Sequence, residues 1–154
     1  MEKVKMYKVS WFFILLTMIM GIFPLCLFLD IKEVISNIFP SIIVLIVSFG
    51  FLGYSIYLLR KRIEGKGFYW DDEGVVIDLE GNKVYWEEIE NIKYRNFNDI
   101  KATVIYPHYT NHEKIRIRRK KWMPTTAHSI EWCLIEKPKE YNKNLMEFWN
   151  EKRK

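Results

Sequence analysis

In the first third of this chain apolar residues run together; beyond it they alternate with polar ones. No residue from Trp11 to Leu29 is charged, and none from Val34 to Leu59, with Asp30-Ile31-Lys32-Glu33 between the two runs. As a helix rising about 1.5 Å per residue, the first run reaches roughly 28 Å, close to the roughly 30 Å of a bilayer's hydrocarbon core. The second is longer than a crossing needs and is expected to tilt. Helices satisfy their own backbone hydrogen bonds, which is why segments that cross lipid take this form. Neither run carries the polar stripe of a helix on a soluble core. Pro24 and Pro40 remove donors inside the runs and are expected to kink them. The expectation is a two-helix transmembrane hairpin over residues 1–62, with spans at about 11–29 and 34–59. A cleaved signal peptide does not fit, because the first run is too long and lacks a small-residue cleavage site. Cys26 follows Pro24-Leu25, which is not a lipidation context.

After the short basic linker 60–67 the period changes. Phe68 to Trp70, Val75 to Leu79, Lys83 to Trp86, Ile92 to Phe97, Ala102 to Tyr106, Lys114 to Arg118 and Ser129 to Ile135 read as about seven short strands. Asp71 to Gly74, Glu80-Gly81-Asn82 and Asn98-Asp99 supply turn residues between them. Trp86 and Ile89 bracket a one-turn helical corner, both plugging the core, with Glu87 and Glu88 expected to face water. Pro138 opens a final helix whose Tyr141, Leu145, Phe148 and Trp149 share one face. The fold expectation is therefore α+β: a membrane hairpin, then a strand-rich domain over 67–154 capped by a C-terminal helix.

Charge orients the hairpin. Lys3, Lys5 and Lys8 precede the first run; Arg60, Lys61, Arg62 and Lys66 follow the second. Lys/Arg-rich flanks stay cytoplasmic, so both termini are expected inside a cell membrane crossed twice. Tyr7, Trp11, Tyr54 and Tyr57 fit the interfacial aromatic belts. The net charge of +5 suits an anionic inner leaflet. Cys26 and Cys133 are not expected to pair, in keeping with a reducing compartment.

Candidate chemistry is sparse. Ser129 is the one serine after residue 66 and has no glycine elbow, and no glycine-rich phosphate loop exists. His108 and His112 are four apart but lie in loop-like sequence, with no Cys-x-x-Cys or His-Glu-x-x-His. Asp71, Asp72 and Glu73 lack calcium-loop spacing. No enzyme, cofactor or metal is expected. The sharpest site is basic: Lys114, Arg116 and Arg118 share one face of the expected strand, and Arg119, Lys120 and Lys121 extend it. Such a cluster suits anionic lipid headgroups or another phosphate. The same charges also suit an edge strand protected from aggregation. Nucleic acid is not expected, because no recognition motif accompanies the cations.

The stretches Phe68-Tyr69-Trp70-Asp71-Asp72-Glu73-Gly74-Val75 and Gly81-Asn82-Lys83-Val84-Tyr85-Trp86-Glu87-Glu88-Ile89-Glu90-Asn91-Ile92 resemble the bacterial PH-like domain of small two-span membrane proteins, the YcxB-like type. The resemblance covers roughly Gly67 to Trp149. It implies a PH-like split β-barrel closed by the last helix, and no enzymatic activity. The expected function is a non-enzymatic, membrane-anchored interaction module that docks a protein or an anionic lipid at the cytoplasmic face of a bacterial membrane. An immunity or inhibitor protein that binds a cognate toxin is the alternative.

Overall fold

The computed structural model describes residues 5–27 and 38–153. They form an α+β protein of four α-helices and antiparallel sheets. The expected hairpin loop Asp30 to Glu33 lies outside the described residues. The chain divides into two compact units: Val9–Glu64, and the residues up to Lys8 together with Gly65 onward.

The first unit is a helix pair. Helix α1 runs Trp11–Leu27 with Pro24 inside it, and α2 runs Ile38–Ile63. Among the described residues α2 alone is long and apolar enough to cross a membrane; α1 is a shorter apolar helix. The two pack through small side chains. Ser41, Ser48 and Ser55 recur every seventh residue of α2 and are buried, as are Ile14 and Thr17 of α1. Ser55 Oγ donates to the Ile14 carbonyl at 3.1 Å. Thr17 Oγ1 turns back on its own helix, 2.9 Å from the same carbonyl. A Cβ on Gly21 would lie 2.7 Å from Leu52 and 3.0 Å from the Ser48 carbonyl, so glycine sets how closely the helices approach. The large side chains point away from this seam: Phe12, Ile19, Phe23, Phe39, Ile46, Phe49 and Ile56 are all exposed. At the open end Arg62 donates to the Val9 carbonyl and lies 4.7 Å over the Trp11 ring.

The second unit holds seven short strands among the described residues, in three antiparallel sheets. Strand β1 (Tyr7–Lys8) pairs with β2 (Gly67–Phe68), and β3 (Gly74–Val76) with β4 (Lys83–Tyr85). Strands β5 (Ile89–Phe97), β6 (Ile100–Pro107) and β7 (His128–Glu131) form the largest sheet, in that order. Asn98 and Asp99 join β5 to β6 with positive φ at both positions, the geometry a two-residue hairpin needs. Helix α3 spans His112–Arg118 and α4 spans Pro138–Lys152.

These are not the seven strands expected. Tyr7–Lys8 was expected to belong to the hairpin, yet it pairs with Gly67–Phe68. The expected strand Lys114–Arg118 is a helix. The expected strand Ser129–Ile135 stops at Glu131, and Trp132–Leu134 is a 3₁₀ turn that leaves Cys133 exposed. The terminal helix is as expected, with Tyr141, Leu145 and Trp149 buried. It carries one side of an aromatic core. Tyr141 meets Tyr7 edge-on at 5.2 Å and Trp70 at 5.5 Å, and Trp149 stacks on Trp86 at 5.9 Å. Such rings dominate core energetics through the area they bury.

Candidate functional site

The corner before β5 fixes the site. Trp86–Glu88 is the expected single turn, here 3₁₀, and Trp86 and Ile89 are buried. Trp86 Nε1 donates to the Asp71 carbonyl at 2.8 Å. Glu87 faces water, but Glu88 does not: it is 2% exposed, which corrects the expectation. Arg118 holds its carboxylate in a fork, Nη1 to Oε1 at 2.8 Å and Nη2 to Oε2 at 2.6 Å. The Tyr85 amide donates to Oε2 at 3.1 Å. Burial alone would raise the Glu88 pKa. The hydrogen bonds from Arg118 and Tyr85 and the charges of Arg118 and Lys114 outweigh it and hold the carboxyl below the ordinary range.

Helix α3 explains why that fork forms. In a strand, positions 114, 116 and 118 share a face. On a helix, successive residues turn by about 100°, so 114 and 118 stay together while 116 swings to the far side. Lys114 Nζ accordingly lies 3.7 Å from Glu88, beside Arg118. Arg116 instead grips Glu113 one turn back, with Nε to Oε2 at 2.9 Å. The isoleucines separate as well: Ile115 is buried and Ile117 is exposed. The expected cationic face therefore does not exist as a unit.

Past α3 the chain turns out of the helix by a Schellman motif. Lys120 takes φ +52, its amide donates to the Ile117 carbonyl at 3.1 Å, and the Lys121 amide donates to the Arg116 carbonyl at 3.1 Å. Arg116 Nη1 also donates to the Lys121 and Trp122 carbonyls at 3.2 and 3.3 Å. The loop is thus held by its backbone, and its side chains are left outside. Trp122 is 90% exposed and Met123 61%. Lys120 and Lys121 are exposed and make no side-chain hydrogen bond or ion pair among the described residues.

Arg119 points inward. Its Nη2 meets Asp78 Oδ2 at 3.0 Å, and its Nη1 lies 2.9 Å from His128 Nδ1. Asp78 Oδ1 accepts the Glu80 and Asn82 amides, so Arg119 ties α3 to the turn around Gly81. His128 is buried, and its Nε2 has no hydrogen-bond partner among the described residues. Burial first, then the charge of Arg119, brings its pKa down to about 4. Of the six cations singled out from sequence, Arg116, Arg118 and Arg119 are spent on internal pairs. Lys114 sits beside one of these pairs, and Lys120 and Lys121 are free for an outside partner.

The other candidates resolve into turns and loops. Asp71 Oδ1 accepts the Glu73 and Gly74 amides, and Lys83 bridges Asp71 at 2.6 Å and Glu73 at 2.8 Å. His112 Nε2 lies 3.2 Å from the Pro107 carbonyl. No group of three or more His, Cys, Asp or Glu side chains is arranged to hold a metal ion among the described residues. A shallow open depression lies between Ile100, Trp132, Cys133 and Pro138. Comparison with protein-family models, with curated proteins and with solved structures finds no match to this chain.

Proposed function

We propose that this chain is a membrane-anchored, non-enzymatic docking module. In it α1 and α2 are the two arms of a transmembrane hairpin with both chain ends on the cytoplasmic side, and the β-rich unit is PH-like and recruits a protein or an anionic lipid. The observation that carries the reading is the inverted helix pair. Its small and hydroxyl side chains meet at the seam, while phenylalanine and isoleucine face outward. In water that arrangement leaves a large apolar surface uncovered. In lipid it is the stable one, because association there rests on close packing of small residues and not on burying apolar area. Arg60, Lys61 and Arg62 at the end of α2 support the inward orientation.

The PH-like reading rests on short antiparallel strands closed by the aromatic face of α4. It departs from the expected barrel at α3, where a helix replaces a strand. Only Glu64, Gly65 and Lys66 separate α2 from β2, so the chain can travel no more than roughly 15 Å between the end of α2 and the first residue of β2. A docking role fits a domain whose buried acids and arginines already neutralise one another.

Cysteine accessibility tests the reading. With Cys26 and Cys133 changed to serine, Glu151→Cys in intact cells is expected to resist an impermeant maleimide, and Lys32→Cys to react. The full chain is expected to stay in membranes through an alkaline wash. Release into the wash without detergent, or labelling of Glu151→Cys from outside, would overturn it.

A further inference from the structure

The loop after α3 has a feature the internal pairing does not explain. Two exposed apolar side chains, Trp122 and Met123, stand beside two exposed lysines, and Ile117, the last residue but one of α3, is also exposed. At 90% exposure Trp122 stands further out than any other large hydrophobic side chain among the described residues and adds nothing to the core that Tyr7, Trp86, Tyr141 and Trp149 build. The backbone beneath it is fixed, not slack: the Schellman bonds and Arg116, itself braced by Glu113, hold residues 120–122 in place. The side chains are therefore presented at little further cost in order.

We infer that Ile117, Trp122 and Met123 form a wedge that enters the headgroup region of an anionic bilayer, with Lys120 and Lys121 contacting lipid phosphates beside it. This rests on the membrane-anchored reading and deepens it by naming the second contact with the same bilayer. Indole prefers the boundary between hydrocarbon and water, where its ring is buried and its N–H stays hydrated. Methionine and isoleucine supply apolar area below it. Each lysine near an anionic leaflet favours the docked state about fivefold, and the two adjacent ones act together. A cationic rim around an apolar tip complements an anionic lipid surface in both respects. The anchor holds the unit near that surface, so the docking step is intramolecular and needs only weak contacts. Arg116, Arg118 and Arg119 do not take part; they build the support.

The test uses the full chain, with Cys26 and Cys133 changed to serine, reconstituted in phosphatidylcholine vesicles with or without phosphatidylglycerol. A nitroxide is placed at Met123→Cys, or at Ile46→Cys on the outer face of α2, and its collision rates with oxygen and with a water-soluble nickel chelate are compared. Position 46 is expected to favour oxygen in both lipids. Position 123 is expected to favour oxygen only with phosphatidylglycerol, and to lose that preference in high salt or with Lys120→Glu/Lys121→Glu. Position 46 in lipid with 123 in water under all conditions overturns the wedge and leaves the anchor standing. Position 123 screened from both reagents, as in a protein contact, or equally inserted in neutral lipid, also overturns it. Position 46 in water takes down the anchor and the wedge with it. Both labelled sites are exposed, so the substitutions leave the fold intact.

Discussion

Glu88 shows how one residue can decide the meaning of its neighbours. Sequence places two acids on a turn and gives no local reason to treat them differently; a one-turn helix sends one outward and the other under α3. Its partner lies 30 residues on, beyond the reach of any periodicity. The pair has a sign that can be measured. The Glu88 pKa is held below its unfolded value, so the stabilisation is complete above about pH 4.3 and is lost as pH falls through the folded pKa. His128 acts in a higher window. Its pKa drops from 6.5 unfolded to about 4 folded, so the unfolded chain takes up the proton first and stability declines as pH falls from 6.5 towards 4. Thermal unfolding of the full chain in detergent is expected to show both limbs. His128→Asn, which keeps an acceptor for Arg119, is expected to flatten the upper limb alone. Glu88→Gln is expected to flatten the lower one and to lower stability at neutral pH by about 2 kcal/mol, because Arg118 keeps one neutral acceptor, meets an amide NH2 in place of the other and loses its counter-charge. An unchanged pH profile in both variants would show that these two groups do not couple to folding.

At the scale of elements, the long patterned segments were legible, as were the strands and the one-turn corner between Gly74 and Pro107; the misses were short. The apolar runs gave α1 and α2, and four aromatic and aliphatic positions at helical spacing gave α4. Five alternating residues, Lys114 to Arg118, satisfied the period of a strand and folded as a helix. Over so few residues the two periods agree about Ile115 and part only at Ile117, so the pattern could not separate them. What decides is tertiary: Ile115 enters the core while Arg118 reaches Glu88, a pairing that a helix allows and a strand, with 115 and 118 on opposite faces, does not. Point substitutions distinguish the two geometries. Ile115→Ala is expected to cost about 2–4 kcal/mol, while Ile117→Ala stays within about 0.5 kcal/mol. A strand with both isoleucines inward would make the two losses similar. Equal losses in a denaturant titration would therefore return this segment to the strand that its sequence suggests.

At the scale of the whole chain, the boundary drawn at residue 67 was wrong by one short piece, because a two-residue strand is too brief to leave a pattern. Tyr7 looked like an interfacial aromatic; in the fold it is 4% exposed, stacks with Trp70, and accepts a hydrogen bond from Asn144 at 2.9 Å. Glu136 also donates its amide to the Lys8 carbonyl at 2.9 Å. A Cβ on Gly67 would fall 2.4 Å from the Tyr7 carbonyl, so the ribbon can close only on glycine. Residues on both sides of the helix pair in sequence therefore complete one core, and the chain passes between the units at Lys8–Val9 and Glu64–Gly65. Removing a buried aromatic typically costs about 3–5 kcal/mol, a large share of what a domain of this size has to spare. Tyr7→Ala in the full chain is thus expected to speed amide exchange in α4 and around Gly67, with α1 and α2 unchanged. A fragment starting at Gly67 is expected to be less stable than one in which residues 5–8 are joined to it by a flexible linker. Equal melting of the two fragments, with α4 protection untouched by Tyr7→Ala, would mean that the N-terminal strand merely rests on a domain that is complete without it.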